Sequence, residues 1–252
     1  MALVEEQLNG CHHVFLDLGA NIGVHARFLF EPGKYNDTKH PYPRVFDQIF
    51  GEDRNLSSTC AFEFEPNPRH AERHLKVQRA YASQGWRYVH VPMGVSNESA
   101  TLSFYRNPSF RHSSANNDWS FSAHPIGAQR EAPVLVPTIN IGAFLLRVAR
   151  RVLPSDQRGR EPPRVLVKMD IESEEFRVLP PLLARPRRVL CHSVDAMTME
   201  WHCASPKCKP RVKELLGQLD ADKADGECRF KWLEGIDDES YVHDGKPLPA
   251  ER

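Results

Sequence analysis

The chain has no excess charge of either sign, since 33 lysines and arginines balance 33 aspartates and glutamates among 252 residues. No field of one sign is available to gather nucleic acid or an anionic membrane, and neither is expected as a partner. Also missing is any apolar run near the roughly 20 residues that a membrane-crossing helix needs. The opening residues Met1 to Glu6 (MALVEE) lack the basic-then-apolar layout of a secretory leader. The expectation is therefore a cytoplasmic chain, with an upstream targeting segment left open. Cysteine is scarce: the six, at positions 11, 60, 191, 203, 208 and 228, are too few and too scattered to read as a disulfide scaffold. Cys60 and Cys191 stand in apolar, strand-like runs and are expected as buried thiols. A disulfide between Cys203 and Cys208 is a minor option. The group Cys191, His192, His202, Cys203 and Cys208 offers the ligand types that zinc uses. Without the paired C-x-x-C spacing, no metal site is assigned.

What is present is an alternation of strand and helix signals along the whole length, which predicts a single α/β domain over residues 1–252 with a doubly wound, mostly parallel sheet. The first strand enters a helix from Ile22 to about Phe30. Residues 31–58, rich in turn formers, read as an insertion carrying an aromatic patch from Val45 to Phe50. Asn67-Pro68 opens a helix reaching about Ser83, and Trp86 to Val91 alternates as a strand. Residues 106–132 are polar and aperiodic, and a loop of that length in a compact domain reads as a substrate lid or as disorder. A helix over 142–152, a strand from Val165 to Asp170, a helix over about 173–184, a strand from Val189 to Trp201 and a helix from Lys209 to Leu219 follow. Residues 229–233 with Tyr241-Val242 are predicted to close the fold as an antiparallel pair.

Two stretches carry the chemistry. From Val14 to Gly23 (VFLDLGANIG) an apolar strand runs into a glycine turn and then a helix. Gly19 and Gly23 would give the backbone the positive φ that close approach to a ligand needs. Asp17 and Asn21 place polar groups beside them. The dinucleotide fingerprint G-x-G-x-x-G is absent, and Asp17 stands where its first glycine would be, so a diphosphate would be repelled. A cofactor with a cationic or zwitterionic end suits the loop better. From Cys60 to Glu65 (CAFEFE) a second strand ends in an acid followed by Pro66-Asn67-Pro68, where Glu65 could accept both hydroxyls of a ribose.

The pattern D-x-G-x-N-x-G resembles the first motif of class I S-adenosylmethionine-dependent methyltransferases, and three further runs narrow the resemblance to the FkbM-type family. Phe64 to Pro68 is similar to that family's second motif. Lys168 to Glu175 (KMDIESEE) is similar to its K-[IMV]-D-[IV]-E-G-x-E signature, and Met199 to His202 (MEWH) to the strand end that follows. The resemblance spans roughly residues 12–204. It implies S-adenosylmethionine as cofactor, held by Asp17, Gly19, Asn21, Gly23 and Glu65, with Met93 and Gly94 beside the adenine. It departs from the family pattern at Ser173, where glycine is usual, and at Asn140, where an acid commonly stands.

All these polar residues fall at carboxyl ends of strands, where open parallel sheets bind ligands. The expected reaction is O-methylation of a hydroxyl on a small molecule or glycan. Asp170 and Glu172, on one side of an extended strand end by its period of two, would orient or deprotonate that hydroxyl, with His202 as the alternative base. The rival readings are a nicotinamide-dependent oxidoreductase and a catalytically silent methyltransferase-like binding module. The substrate and the oligomeric state are not readable from the residues.

Overall fold

The computed structural model describes residues 2–35, 42–107, 120–125, 127, 131–152, 162–184, 188–202, 208–224, 228, 230–233 and 244–249. Its centre is a six-stranded, wholly parallel sheet built from β1 (His13–Leu18), β2 (Thr59–Phe64), β3 (Arg87–Val91), β8 (Val165–Met169), β9 (Ala196–Met199) and β10 (Lys231–Trp232). The strand order is β10-β9-β8-β1-β2-β3. From β1 the chain moves outward on one side to β2 and β3, then returns to place β8, β9 and β10 on the other. The direction of winding therefore reverses between β1 and β8, and the crevice at that reversal is where such sheets bind ligands.

The sheet is buried because its strands are apolar on both faces, as parallel strands must be. Val14, Leu16, Leu18, Phe62, Phe64, Val167 and Met169 face one core, where Phe144, Leu145 and Val148 of α5 (Ile141–Val152) and Val178 and Leu179 of α6 (Glu175–Leu183) cover them. Phe15, Ala61, Leu166 and Ala196 face the other, beneath α2 (Val24–Phe30), α3 (Tyr42–Phe50) and α4 (Ala71–Ala82). The predicted insertion over 31–58 is thus partly structural. Its aromatic patch forms α3, and Phe46 packs edge-on against Phe15 at 5.0 Å.

A second, mixed sheet of order β4-β7-β5-β6 stands beside the first. It comprises β4 (Gly94–Ser96), β5 (Thr101–Arg106), β6 (Phe121–Ser122) and β7 (Val134–Asn140). The pairing of these strands depends on contacts distant along the chain, and nothing in the sequence signals it. Most of the predicted lid over 106–132 lies outside the described residues; its described part includes β6.

Three expectations change. The run from Val189 to Trp201 is not one strand: Val189–Ser193 is helix α7, and only Ala196–Met199 is strand. Short apolar runs do not distinguish the two by periodicity. The closing pair is not antiparallel where it is described, because β10 runs parallel to β9, with Lys231 opposite Ala196; Tyr241 and Val242 lie outside the described residues. Finally, Cys60 and Cys191 are not thiols. Cys60 of β2 is bonded to Cys11, just before β1, with Cα atoms 5.7 Å apart, and Cys191 to Cys228, 4.6 Å apart. Spacing along the chain concealed both pairs, whose members meet only once the sheet forms. The second bond also removes Cys191 from any zinc site. The side chains of Cys203 and Cys208 lie outside the described residues.

One face carries a buried polar row. Thr198, Lys168, Asp17, Glu63 and His90 stand in mutual register across β9, β8, β1, β2 and β3. Lys168 Nζ lies 3.3 Å from Asp17 Oδ1, and His25 Nδ1 lies 3.1 Å from Asp17 Oδ2. Tyr42 meets Thr198 at 2.5 Å. Glu63 is completely buried and neither carboxylate oxygen has a hydrogen-bond partner. Burial, then the neighbouring Asp17 charge, raise its pKa well above the ordinary range, and Lys168 only partly opposes them.

An acid raised in this way keeps a proton that the unfolded chain releases. Its contribution to stability is complete below the unfolded value of 4.5 and is lost as pH rises toward the folded one. Glu63→Gln should therefore match the native chain in urea midpoint near about pH 4 and exceed it by about pH 8. A difference independent of pH would show that Glu63 is ionised in the fold. The disulfides give a second prediction. Peptide mapping without reductant should recover the 11–60 and 191–228 links. Cutting the first, which closes a separation of 49 residues, should cost about 2–4 kcal/mol of stability. Free thiols at these four positions would remove both ties.

Candidate active site

At the carboxyl end of β1 the chain must turn sharply beside β8. Gly19 has φ +85°, and a Cβ there would sit 1.8 Å from the carbonyl oxygen of Asp170. Only glycine allows the two loops to touch. Gly23, also at positive φ, is confined by the Tyr88 hydroxyl and the His74 ring. Between them Asn21 adopts φ +50°, a left-handed conformation that asparagine tolerates better than most residues. Both glycines thus have a packing reason for being there, in addition to any ligand.

The turn is sewn to the end of β2. The amides of Gly19 and Ala20 donate to the carbonyl of Phe64 at 3.0 and 3.1 Å. The amide of Asn21 donates to Glu65 Oε2 and that of Asn67 to Glu65 Oε1, each at 2.7 Å. Glu65 is therefore a charged clasp that draws the two motif loops to one point. Asn67 also caps the following turn, its Oδ1 accepting from the amide of Arg69 at 3.1 Å. Asn21 Oδ1 is buried with no protein partner. Beneath the clasp, His74 Nε2 meets the Asn21 carbonyl at 2.7 Å and its ring stacks on His90 at 4.3 Å. Burial lowers the pKa of both imidazoles, so both are neutral supports.

Asp17 is completely buried and spends its carboxylate on His25 and Lys168. Lys168 in turn donates to the Gly19 carbonyl at 2.9 Å and reaches Asp170 Oδ2 at 3.2 Å. Sequence reading gave this lysine no role beyond neutralising Asp170, yet it joins strand, turn and rim acid. Met93 packs against the core, and Gly94 accommodates the Phe104 ring, which a Cβ would approach to 2.7 Å. Gly94 thereby makes room within the second sheet for a side chain of β5, two strands away.

The second group lies at the ends of β8 and β9. Asp170, Glu172 and His202 each present a ligand-type atom within 4.8 Å of the others. His202 Nε2 lies 3.5 Å from Asp170 Oδ1, 3.7 Å from Glu172 Oε2 and 3.6 Å from Glu200 Oε1. Its other nitrogen, Nδ1, meets Glu175 Oε1 at 2.8 Å. Burial alone would lower the pKa of His202. The hydrogen bond to Glu175 and the charges of Glu172 and Asp170 override it and push the pKa up to about 10. With no cation present, the surrounding acids favour the protonated imidazole. Burial raises the pKa of Glu172, against the pull of His202.

The described end of the predicted lid docks on this group. Ser120 Oγ donates to Glu172 Oε2 at 2.8 Å, Ser122 Oγ to the Glu172 carbonyl at 2.7 Å, and His124 Nε2 meets Glu174 Oε2 at 3.0 Å. Together with Ser96, which donates to Glu174 Oε1 at 2.7 Å, these contacts tie the second sheet to the signature loop. Of the sequence-identified residues, Asn21 and Glu65 touch directly, Asp17 reaches Asp170 through Lys168, and Asp170, Glu172 and His202 form one cluster. Glu63, Glu175 and His25 went unrecognised. Glu175 lies inside the quoted signature run, whereas Glu63 and His25 carry no local signal.

The signature loop is held in an unfavourable shape. Glu172 and Ser173 have φ of +55° and +80°, and a left-handed residue with a Cβ costs roughly 1–2 kcal/mol. The Ser173 hydroxyl donates to the His202 carbonyl at 3.2 Å, so its loss must be controlled for. Ser173→Gly should be more stable than Ser173→Ala by about 1 kcal/mol, after allowing for the extra unfolded-state freedom of glycine. Equal denaturation midpoints would show that position 173 is not strained. No family model, no curated protein and no solved structure matches this chain.

Proposed function

We propose that the protein is a class I methyltransferase of FkbM type on a Rossmann-like sheet, transferring a methyl group from S-adenosylmethionine to a hydroxyl of a small molecule or glycan. The observation that carries this reading is the Glu65 clasp. It brings the D-x-G-x-N-x-G turn and the second motif to one point at the carboxyl ends of β1 and β2, and Gly19 of the same turn touches Asp170 after β8. The donor set fits an adenosyl group. Glu65 keeps acceptor capacity for ribose hydroxyls, since each carboxylate oxygen already paired with an amide has a second lone pair. Asn21 Oδ1 is a buried acceptor awaiting a donor.

When bound, S-adenosylmethionine supplies an electrophilic methyl group on a sulfonium. The protein's task is then to hold an acceptor oxygen in line with it in a dry site. Asp170 or Glu172 would take the proton that the acceptor hydroxyl loses as its oxygen is methylated. In this reading His202, held by Glu175, orients the two acids. Asp17 and Lys168 fix the rim on which they stand. A nicotinamide oxidoreductase fits less well, because the turn offers few amides to a diphosphate: those of Gly19, Ala20, Asn21 and Gly23 all donate within the protein.

Among the described residues no helix is long and apolar enough to cross a membrane. The two disulfides favour an oxidising compartment over the cytoplasm first expected. Glu65→Ala should weaken S-adenosylhomocysteine binding at least tenfold by calorimetry, the value of a charged acceptor to a hydroxyl being about 1.5–3 kcal/mol. Asp170→Asn should leave that affinity within about twofold and lower turnover on hydroxylated acceptors by about a hundredfold. Unchanged affinity in the first variant would remove Glu65 from the cofactor site, and failure of the native chain to bind at all would end the reading.

A further inference from the structure

We infer that Asp170, Glu172 and His202 form a binding site for a hard divalent cation of the Mn²⁺ type, with Glu175 as its supporting carboxylate and Glu200 at its edge. The site stands on its own geometry. Only its part in catalysis rests on the methyltransferase reading.

The spacing of the group is that of ligands around an ion. His202 Nε2 faces oxygens of three carboxylates at 3.5, 3.6 and 3.7 Å, too long for well-formed hydrogen bonds. Ligand bonds of about 2.1 Å put neighbouring donor atoms roughly 3.0–3.5 Å apart around one centre. The small contraction needed lies within the reach of partly exposed side chains at strand ends. Asp170, Glu172 and His202 are 12%, 21% and 20% exposed, open enough to admit an ion.

The partner of His202 is the second, independent observation. Glu175 is completely buried; its Oε1 takes Nδ1 of His202 and the amide of Ile171, and its Oε2 has no hydrogen-bond partner. A buried carboxylate on the far nitrogen of an imidazole, with the near nitrogen turned toward other carboxylates, is the arrangement that orients histidine for a metal. Charge points the same way. Four acids, Asp170, Glu172, Glu175 and Glu200, surround one imidazole, and Lys168, which reaches Asp170, is shared with the buried Asp17. Two or three carboxylates with a single imidazole are a donor set for Mn²⁺ or Mg²⁺ and a poor one for thiophilic ions.

In the methyltransferase reading the cation would hold the acceptor hydroxyl directly and lower its pKa. The acceptors favoured would then be hydroxyl compounds able to approach a cation, such as sugars.

The test is titration of the EDTA-treated native chain with MnCl₂, followed by calorimetry and by the electron paramagnetic signal of free Mn²⁺, with no cofactor present. One Mn²⁺ per chain should bind. Glu175→Gln should keep that stoichiometry and lose 10- to 100-fold in affinity, as supporting carboxylates do. Asp170→Asn and His202→Ala should lose at least as much. Glu200→Gln, at the edge of the group, should lose less. No uptake by the folded native chain at millimolar Mn²⁺, or equal affinity in the Asp170 and His202 variants, overturns the site. A parallel titration with S-adenosylhomocysteine in EDTA reports on the cofactor reading separately, so either can fail alone.

Discussion

The buried ammonium of Lys168 is the constraint on which the rest depends. It reaches Asp17, the Gly19 carbonyl and Asp170 at once, and so spans the line where the winding of the sheet reverses. Removing water from a cation is expensive unless several acceptors replace it, and here a strand interior, a turn and a loop each supply one. The register of β1 against β8, the closeness of the Gly19 turn and the position of Asp170 are therefore not independent. If one moves, a buried charge loses a partner. That coupling accounts for the glycine at 19, where the loops touch too closely for any side chain.

From this tie the rim can be read as two adjoining halves. Glu65 organises one by accepting amides from both motif loops, and the acids around His202 organise the other. The histidines divide in the same way. His74 and His90 are stripped of charge by burial and serve as flat, neutral packing under the clasp, whereas His202 is loaded with charge by its carboxylates. Identical side chains do opposite work within one rim because their surroundings price ionisation differently.

Much of this was legible in the residues. Strand ends carrying Asp17, Glu65, Asp170 and His202 stood out because chemistry-bearing residues interrupt apolar runs at a fixed place in each βα unit. The motif glycines also marked real turns, though the reason at Gly19 and Gly23 is contact with protein. What escaped notice depends on pairing between distant segments. Glu63 reads as an ordinary polar residue in an alternating strand until its neighbours prove to be Asp17 and Lys168. Cys11 and Cys60 have no telling spacing, and only parallel register brings them together. The second sheet escaped for the same reason, since β4 continues from β3 in sequence but pairs with β7 in space. The helix at Val189–Ser193 was misread because a run of five residues is too short to show a decisive period.

The placement of the two disulfides has a further meaning. Cys11 precedes β1 and Cys60 is the second residue of β2, while Cys191 and Cys228 lie just before β9 and β10. Both covalent links thus brace the amino-terminal edge of the sheet, opposite the rim that bears the acids. The covalent ties and the acid cluster occupy opposite poles. Loops at the acid-bearing pole can vary without disturbing the stapled one.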